Sequence, residues 1–357
     1  MLHTLKNASL TGAFFLLLVL FVPAARADEC LDRTWAGTIG DIPVTLEFSV
    51  EDQAHYQGRY HYRDNLADLY LEQDKESGLW REYDAKGTQT GQLALTCEDG
   101  NKLSGVWRTA AGDKPQPLVA VPGSSDSEQR IRNLKLQFSA PVAIGANTYR
   151  KVTAPGIKDF YSVTLQGDSA GIQALNKKLR EYAVSNLSEI VECAAYGIMR
   201  NGPGNAWENT ITTSVSVWNA DLVVLNRSFD GECGGAHGNS WFGEEAYSTQ
   251  TGGLEDMRGW FKDKSDWPIG RYYDEGPQAR SLPALVWRAY GRMSDDCNEL
   301  VSIDEVWPTA QGLVFRVSAN AYANRNCEDQ VPMAWKALTP FLSRLGIQRM
   351  KGLQGHK

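Results

Sequence analysis

Between residues 34 and 121 the chain alternates apolar and polar side chains in short runs, and that alternation leaves few folds open. Val44-Thr45-Leu46-Glu47-Phe48-Ser49-Val50 shows the period of two most clearly. Gln57-Gly58-Arg59-Tyr60-His61-Tyr62, Leu69-Tyr70-Leu71, Leu79-Trp80-Arg81-Glu82-Tyr83, Gly91-Gln92-Leu93-Ala94-Leu95 and Leu103-Ser104-Gly105-Val106-Trp107 repeat it. Glycines and charged turn residues separate the runs, and no useful helical period intervenes. Strands this short and evenly spaced are expected to form an antiparallel β-meander, closed into a small barrel or sandwich that removes or protects its edges. Aromatic rings at alternate positions are expected to fill the interior, because they supply much of a small core's burial.

The first 27 residues read as a secretory leader. Lys6 supplies the positive start, residues 12–22 are an apolar run, and Ala25-Arg26-Ala27 is a small-x-small cleavage site. No later apolar run approaches the roughly 20 residues a membrane span needs. The mature chain is therefore expected to be exported and soluble, in the periplasm or beyond it. All six cysteines follow the leader, an even count that suits an oxidising compartment. Cys30 with Cys97, Cys193 with Cys233, and Cys297 with Cys327 are the pairings that respect domain separation and keep loops short. None has metal-like or CxxC spacing, so structural disulfides are expected. Removing the leader takes away Lys6 and Arg26 and no acid, moving the formal charge from -7 to -9. Such a chain is a poor partner for nucleic acid and a reasonable one for a basic protein.

Residues 115–128, rich in Pro, Gly, Ser and charge, read as a linker between a β domain at 28–114 and a second domain at 129–350. In the second, Leu134-Lys135-Leu136-Gln137-Phe138 resumes strand alternation and residues 160–165 form another strand. Ile172, Leu175, Leu179, Tyr182 and Ala183 then fall at helical spacing, continuing toward Leu187, Ile190 and Val191. Strands over 210–224, a helix over 282–292, strands at 301–306 and 313–318 and a closing helix over 335–345 complete an α+β pattern.

Gly234-Gly235-Ala236-His237-Gly238-Asn239 is the segment with the most functional promise. Adjacent glycines fit a backbone turning through positive φ, and His237 there could carry a proton, bind a ligand or fix the turn. Together with Thr251-Gly252, Leu285-Val286-Trp287, Gly312-Leu313-Val314-Phe315, Val331-Pro332-Met333 and Leu338-Thr339-Pro340-Phe341-Leu342, it resembles the extracytoplasmic C-terminal domain shared by the lysozyme-sensing anti-sigma factor RsiV and the peptidoglycan deacetylase PdaC. The resemblance covers roughly residues 130–346 and leaves the β domain without a relative. It implies an envelope protein with a binding role. The anti-sigma and deacetylase activities would need a cytoplasmic segment or a metal-dependent domain that this architecture lacks. Family members tend to carry an acidic residue shortly before the Thr-Gly turn, where this chain reads Tyr247-Ser248-Thr249-Gln250.

Gly167-Asp168-Ser169-Ala170-Gly171 matches the nucleophile-elbow pattern G-x-S-x-G between a strand and a helix. The helices, oxyanion loop and parallel βα units that pattern needs upstream are missing. His237 is the only internal histidine downstream, with Asp221 or Asp230 the possible acids. Asp168 or Ser169 is better placed to cap the following helix. No HExxH or paired-histidine spacing is present, so no metal or cofactor is expected. Trp260, Trp267 and Tyr272 sit in an aromatic stretch that could face a glycan or a protein, or cover the edge of the core.

The reading is a non-catalytic envelope binding protein that engages a lysozyme-like wall-active protein or peptidoglycan, with Gly235, His237, Asn239, Trp260, Trp267 and Tyr272 as contact candidates. The alternatives are an envelope glycan or ester hydrolase using Ser169 or His237, and an immunity protein against a periplasmic toxin.

Overall fold

The computed structural model describes residues 32–52, 55–63, 65–124, 127–234, 237–263, 267, 270–271, 280–291, 297 and 300–355. Eight strands, β1 (Thr34–Ile39), β2 (Ile42–Asp52), β3 (His55–Tyr62), β4 (Leu69–Gln73), β5 (Trp80–Tyr83), β6 (Gln89–Glu98), β7 (Lys102–Thr109) and β8 (Gln116–Pro122), form a closed antiparallel barrel in chain order. Trp35, Leu46, Tyr60, Trp80, Leu93 and Leu118 point inward and are almost wholly buried. Phe48 meets Trp80 edge to face at 4.9 Å. The interior is mainly apolar, with the buried Glu82 carboxylate bonded by Tyr60 and Trp107.

One expected boundary moves. Residues 116–122, assigned from sequence to the 115–128 linker, are β8, and they close the barrel by pairing Ala36 with Val121 and Thr38 with Val119. Two prolines, Pro117 and Pro122, mask a short alternation whose inward members are Leu118 and Ala120.

The rest is α+β. After α1 (Ser127–Arg132) come β9 (Gln137–Phe138), β10 (Val142–Ile144), β11 (Asn147–Ala154) and β12 (Ile157–Leu165), then α2 (Ala170–Asn201), then β13 (Asn209–Trp218), β14 (Leu222–Gly231) and β15 (Asn239–Ser248). These seven strands make one sheet, antiparallel except where β12 and β13 run parallel across the α2 crossover. Strand β9 is two residues long, both paired with β11, so the strand expected over 134–138 is irregular at 134–136.

Helix α2 is 32 residues, about 48 Å long, and serves as the molecule's strut. Its first turns place Ile172, Leu175 and Leu179 on Val215, Val223, Leu225 and Tyr247 of the sheet. Its middle packs Ala183, Leu187 and Ile190 against Leu66 of the barrel and Ile131 of α1. Its last turns bring Ala195 and Ile198 to Tyr70 of the barrel. Barrel and α+β part therefore share a packed boundary. Charges lock it: Arg59 Nη2 donates to Glu192 of α2 at 2.8 Å, while Arg130 of α1 reaches Asp68 of the barrel at 2.7 Å.

Asn176 of α2 solves a local problem. Because the β12–β13 pairing covers only Phe160–Tyr161, Leu165 has no strand partner on that side. The Asn176 side chain supplies one, accepting from Leu165 N–H at 2.8 Å and donating to its carbonyl at 2.9 Å.

A second sheet joins β16 (Gly270–Arg271), β17 (Val301–Pro308), β18 (Gly312–Ala319) and β19 (Asp329–Ala334), with α3 (Leu282–Tyr290) packed on it. The expected closing helix over 335–345 is broken into α4 (Trp335–Leu338), a 3₁₀ turn at Thr339–Phe341 and α5 (Arg344–Gln354). Pro340 cannot continue the helical bonding, and Ser343 caps a fresh start by accepting from Gly346 N–H at 3.2 Å. Cys193–Cys233 and Cys297–Cys327 are disulfides. Cys97 is disulfide-bonded as well, while Cys30 lies outside the described residues.

Candidate functional site

The sequence offers two places for chemistry, and the structure gives each a definite setting. Ser169 is the N-cap of α2, its hydroxyl accepting from Ile172 N–H at 3.3 Å. Gly171 sits where the helix start meets the β15 turn. A Cβ there would lie 2.2 Å from Thr249 O and 2.4 Å from the Gln250 carbonyl carbon. Lys178 donates to Gly252 O at 3.0 Å across the same seam. The serine and glycine of the G-x-S-x-G match are thus a cap and a packing contact. Ser169→Ala is expected to cost about 1 kcal/mol. Gly171→Ala is expected to cost more, up to about 3 kcal/mol, because backbone must move. Urea denaturation of both variants checks the ranking, and a larger loss at Ser169 would contradict it.

His237 is exposed, with Nδ1 2.9 Å from Gly238 O. Gly234 has φ +88°, and a Cβ on it would strike the Trp207 ring at 2.7 Å, so the turn needs glycine twice over. The Cys193–Cys233 disulfide ties this turn to α2. Gly235 and Tyr272 lie outside the described residues. Trp260, open from sequence between a surface contact and a core ring, is fully buried and donates Nε1 to Glu255 at 3.0 Å. Trp267 is half-buried beside Phe261, ring centroids 5.8 Å apart. The core of the second sheet claims the first ring outright, since Phe261, Leu342 and Val306 belong to the same cluster.

Asn239 opens β15 and leads into the concave feature that the sequence did not reveal. A groove of about 300 Å³ runs between α2 and the ends of β14 and β15, lined by Asn186, Glu189, Arg227, Phe229, Asn239 and Trp241. The pairing registers explain the grouping. Phe229 faces Trp241 and Gly231 faces Asn239, so alternate residues of two strands turn toward the helix. Arg227 lies over the Tyr182 ring at 4.4 Å and the Trp241 ring at 5.7 Å, and is 3.5 Å from Glu245. Tyr247 donates to Glu245 at 2.7 Å, and burial, with that carboxylate beside it, raises the phenol above its ordinary value. The guanidinium is thus held between rings with a carboxylate behind it.

On the opposite face, Glu244 accepts from Asn226 at 3.4 Å and burial raises its carboxyl above the usual range. The outer edge of β15 is occupied too. Arg316 donates to Phe242 O, Arg325 to Ser240 O at 3.4 Å, and Glu255 N–H to Ala246 O at 2.9 Å. A strand edge so covered is closed to strand addition. The groove is left as the open concavity beside this strand. Its signal in the sequence was slight: Asn186 and Glu189, three apart, interrupt the apolar stripe of α2.

Among the described residues there is no cluster of three or more metal-ligating side chains, and no helix is long and apolar enough to cross a membrane. No protein-family model and no curated protein matches the chain. Solved structures similar to it include two of the DUF3298 family. A member of the DUF3298 family from Bacteroides fragilis NCTC 9343 is 13% identical, with the match covering 62% of this chain and 98% of that one and a TM-score of 0.36. A DUF3298 family protein from Pseudomonas aeruginosa PAO1 is 15% identical, with coverage of 59% and 95% and a TM-score of 0.34.

Proposed function

We propose that this is an exported, non-catalytic binding protein of the cell envelope, and that the groove beside the Gly234–Asn239 turn holds a peptidoglycan fragment. The observation that carries the reading is the grouping of an aromatic ring, two amides, a carboxylate and a ring-stacked guanidinium in one concavity. Sugar rings stack on indole, and amide and carboxylate groups bond to hydroxyl and acetamido groups. Ser169 is spent as a helix cap, and His237 Nδ1 lies against the Gly238 carbonyl, which fits a turn-fixing role.

Calorimetric titration of the disulfide-intact protein with a disaccharide-peptide muropeptide tests this. Saturable binding that persists as salt is raised supports it. A second reading, a basic lysozyme-like partner, rests on the formal charge of -7 and on the resemblance to a lysozyme-sensing domain. Salt-resistant binding of a c-type lysozyme, with no heat from muropeptide, would move the conclusion to that partner.

A further inference from the structure

A separate cavity of about 350 Å³ lies on the other side of α2, between the helix and strands β9, β11 and β12. Leu136, Phe138, Val152, Val163, Leu179 and Ala183 give it apolar walls. Its volume falls in the range of small-molecule sites, which are mainly apolar with a few polar groups that fix orientation. Lys177 and Arg180, three residues apart on α2, line it as well, and both side chains are exposed. Neither makes an ion pair or hydrogen bond among the described residues, in contrast to Lys178 next to them, which is engaged by Gly252 O. Phe138, 55% exposed, is an apolar ring left open to solvent beside these two cations. The cavity persists for a structural reason. Asn176 is spent on the Leu165 peptide groups, and among the described residues β13 pairs with only Phe160 and Tyr161 of β12, so residues 162–165 carry a ladder on the β11 side alone.

From the apolar walls and the paired, uncompensated cations we propose that this cavity binds a medium-chain alkyl carboxylate, its tail against Leu136, Val163 and Leu179 and its head group at Lys177 and Arg180. The site is independent of the groove and of what the groove binds. Calorimetric titration of the full exported protein with linear carboxylates of increasing length, kept below micelle formation, tests it, with alcohols of equal length as neutral controls. Affinity should rise about fourfold per methylene and then level off when the cavity is filled. The double variant Lys177→Glu/Arg180→Glu should weaken carboxylate binding about tenfold or more and leave the alcohols unchanged. Both positions are exposed, and an unchanged melting curve shows that the variant is folded. Absence of saturable binding would overturn the proposal. So would affinity that climbs without a plateau, or carboxylate binding that survives charge reversal, since either describes adsorption to exposed apolar surface.

Discussion

Replacing Asp68 by alanine is expected to destabilise the protein by about 3–5 kcal/mol, the cost of removing one partner from a buried ion cluster. Asp68 is 5% exposed and accepts from Arg130 at 2.7 Å and from Arg59 at 3.3 Å. Arg130 is itself buried, with Nε donating to Asn65 O at 2.9 Å and Nη2 lacking a partner. Burial works against the Arg59 charge, but Asp68, Glu47 and Glu192 outweigh it and hold the guanidinium protonated. Without Asp68, the buried Arg130 loses its carboxylate partner, while the part-buried Arg59 keeps Glu47 and Glu192. Because the cluster joins barrel to α1 and α2, loss of cooperativity should accompany the loss of stability. Guanidinium denaturation followed separately by barrel and helix signals reads both. A change under about 1 kcal/mol with coincident transitions would show that the cluster does not hold the boundary.

His61, 3.9 Å from Asp68, adds a pH dependence. Burial, with Arg130 next in effect, lowers its pKa from 6.5 to about 4, so it is neutral in the folded protein. Between those values the unfolded chain holds a proton that the folded chain does not. Stability is therefore fully present above pH 6.5 and declines as pH falls toward 4. His61→Gln should flatten that part of the curve, and an unchanged slope in denaturation midpoints between pH 7 and 4.5 would rule the residue out as its source.

Glu82→Ala is expected to cost about 3 kcal/mol or more through the barrel interior, because three donors lose their acceptor. The carboxylate, 2% exposed, accepts from Tyr60 OH at 2.5 Å, Trp107 Nε1 at 2.6 Å and Thr90 Oγ1 at 2.6 Å. Burial and the adjacent negative charge push the Tyr60 phenol far above its ordinary value, so Tyr60 remains a donor throughout the physiological range. Glu82→Gln keeps an acceptor of the same shape and should recover part of the loss. Denaturant midpoints, with Trp107 fluorescence as a local report, distinguish the variants. Equal stability of Glu82→Ala and the native protein would mean water satisfies the donors.

The barrel was legible because its strands are amphipathic with a period of two, and alternation alone assigns Trp35, Leu46, Tyr60 and Leu93 to the inside. Its last strand was hidden by Pro117 and Pro122, which look like linker chemistry until Leu118 and Ala120 are seen to face inward. The Ser169 cap was readable from position, whereas the reason for Gly171 was not, since it depends on a turn 78 residues later. Short-loop arguments found Cys193–Cys233 and Cys297–Cys327. Aromatic density left Trp260 open between two roles, because a cluster of rings looks alike whether it meets solvent or a core. The groove was beyond local reading. Arg227, Trp241 and Glu189 come together only through strand register and a helix crossing, neither of which a single segment encodes.

The most direct test of the binding account compares muropeptide affinity of the native protein with that of Trp241→Ala, both disulfide-intact, by calorimetry at moderate salt. Loss of the indole should weaken binding about tenfold or more, as removal of an aromatic anchor does, while the melting temperature stays nearly constant. Equal affinity for the two proteins, or no binding by either, would contradict the assignment of the groove.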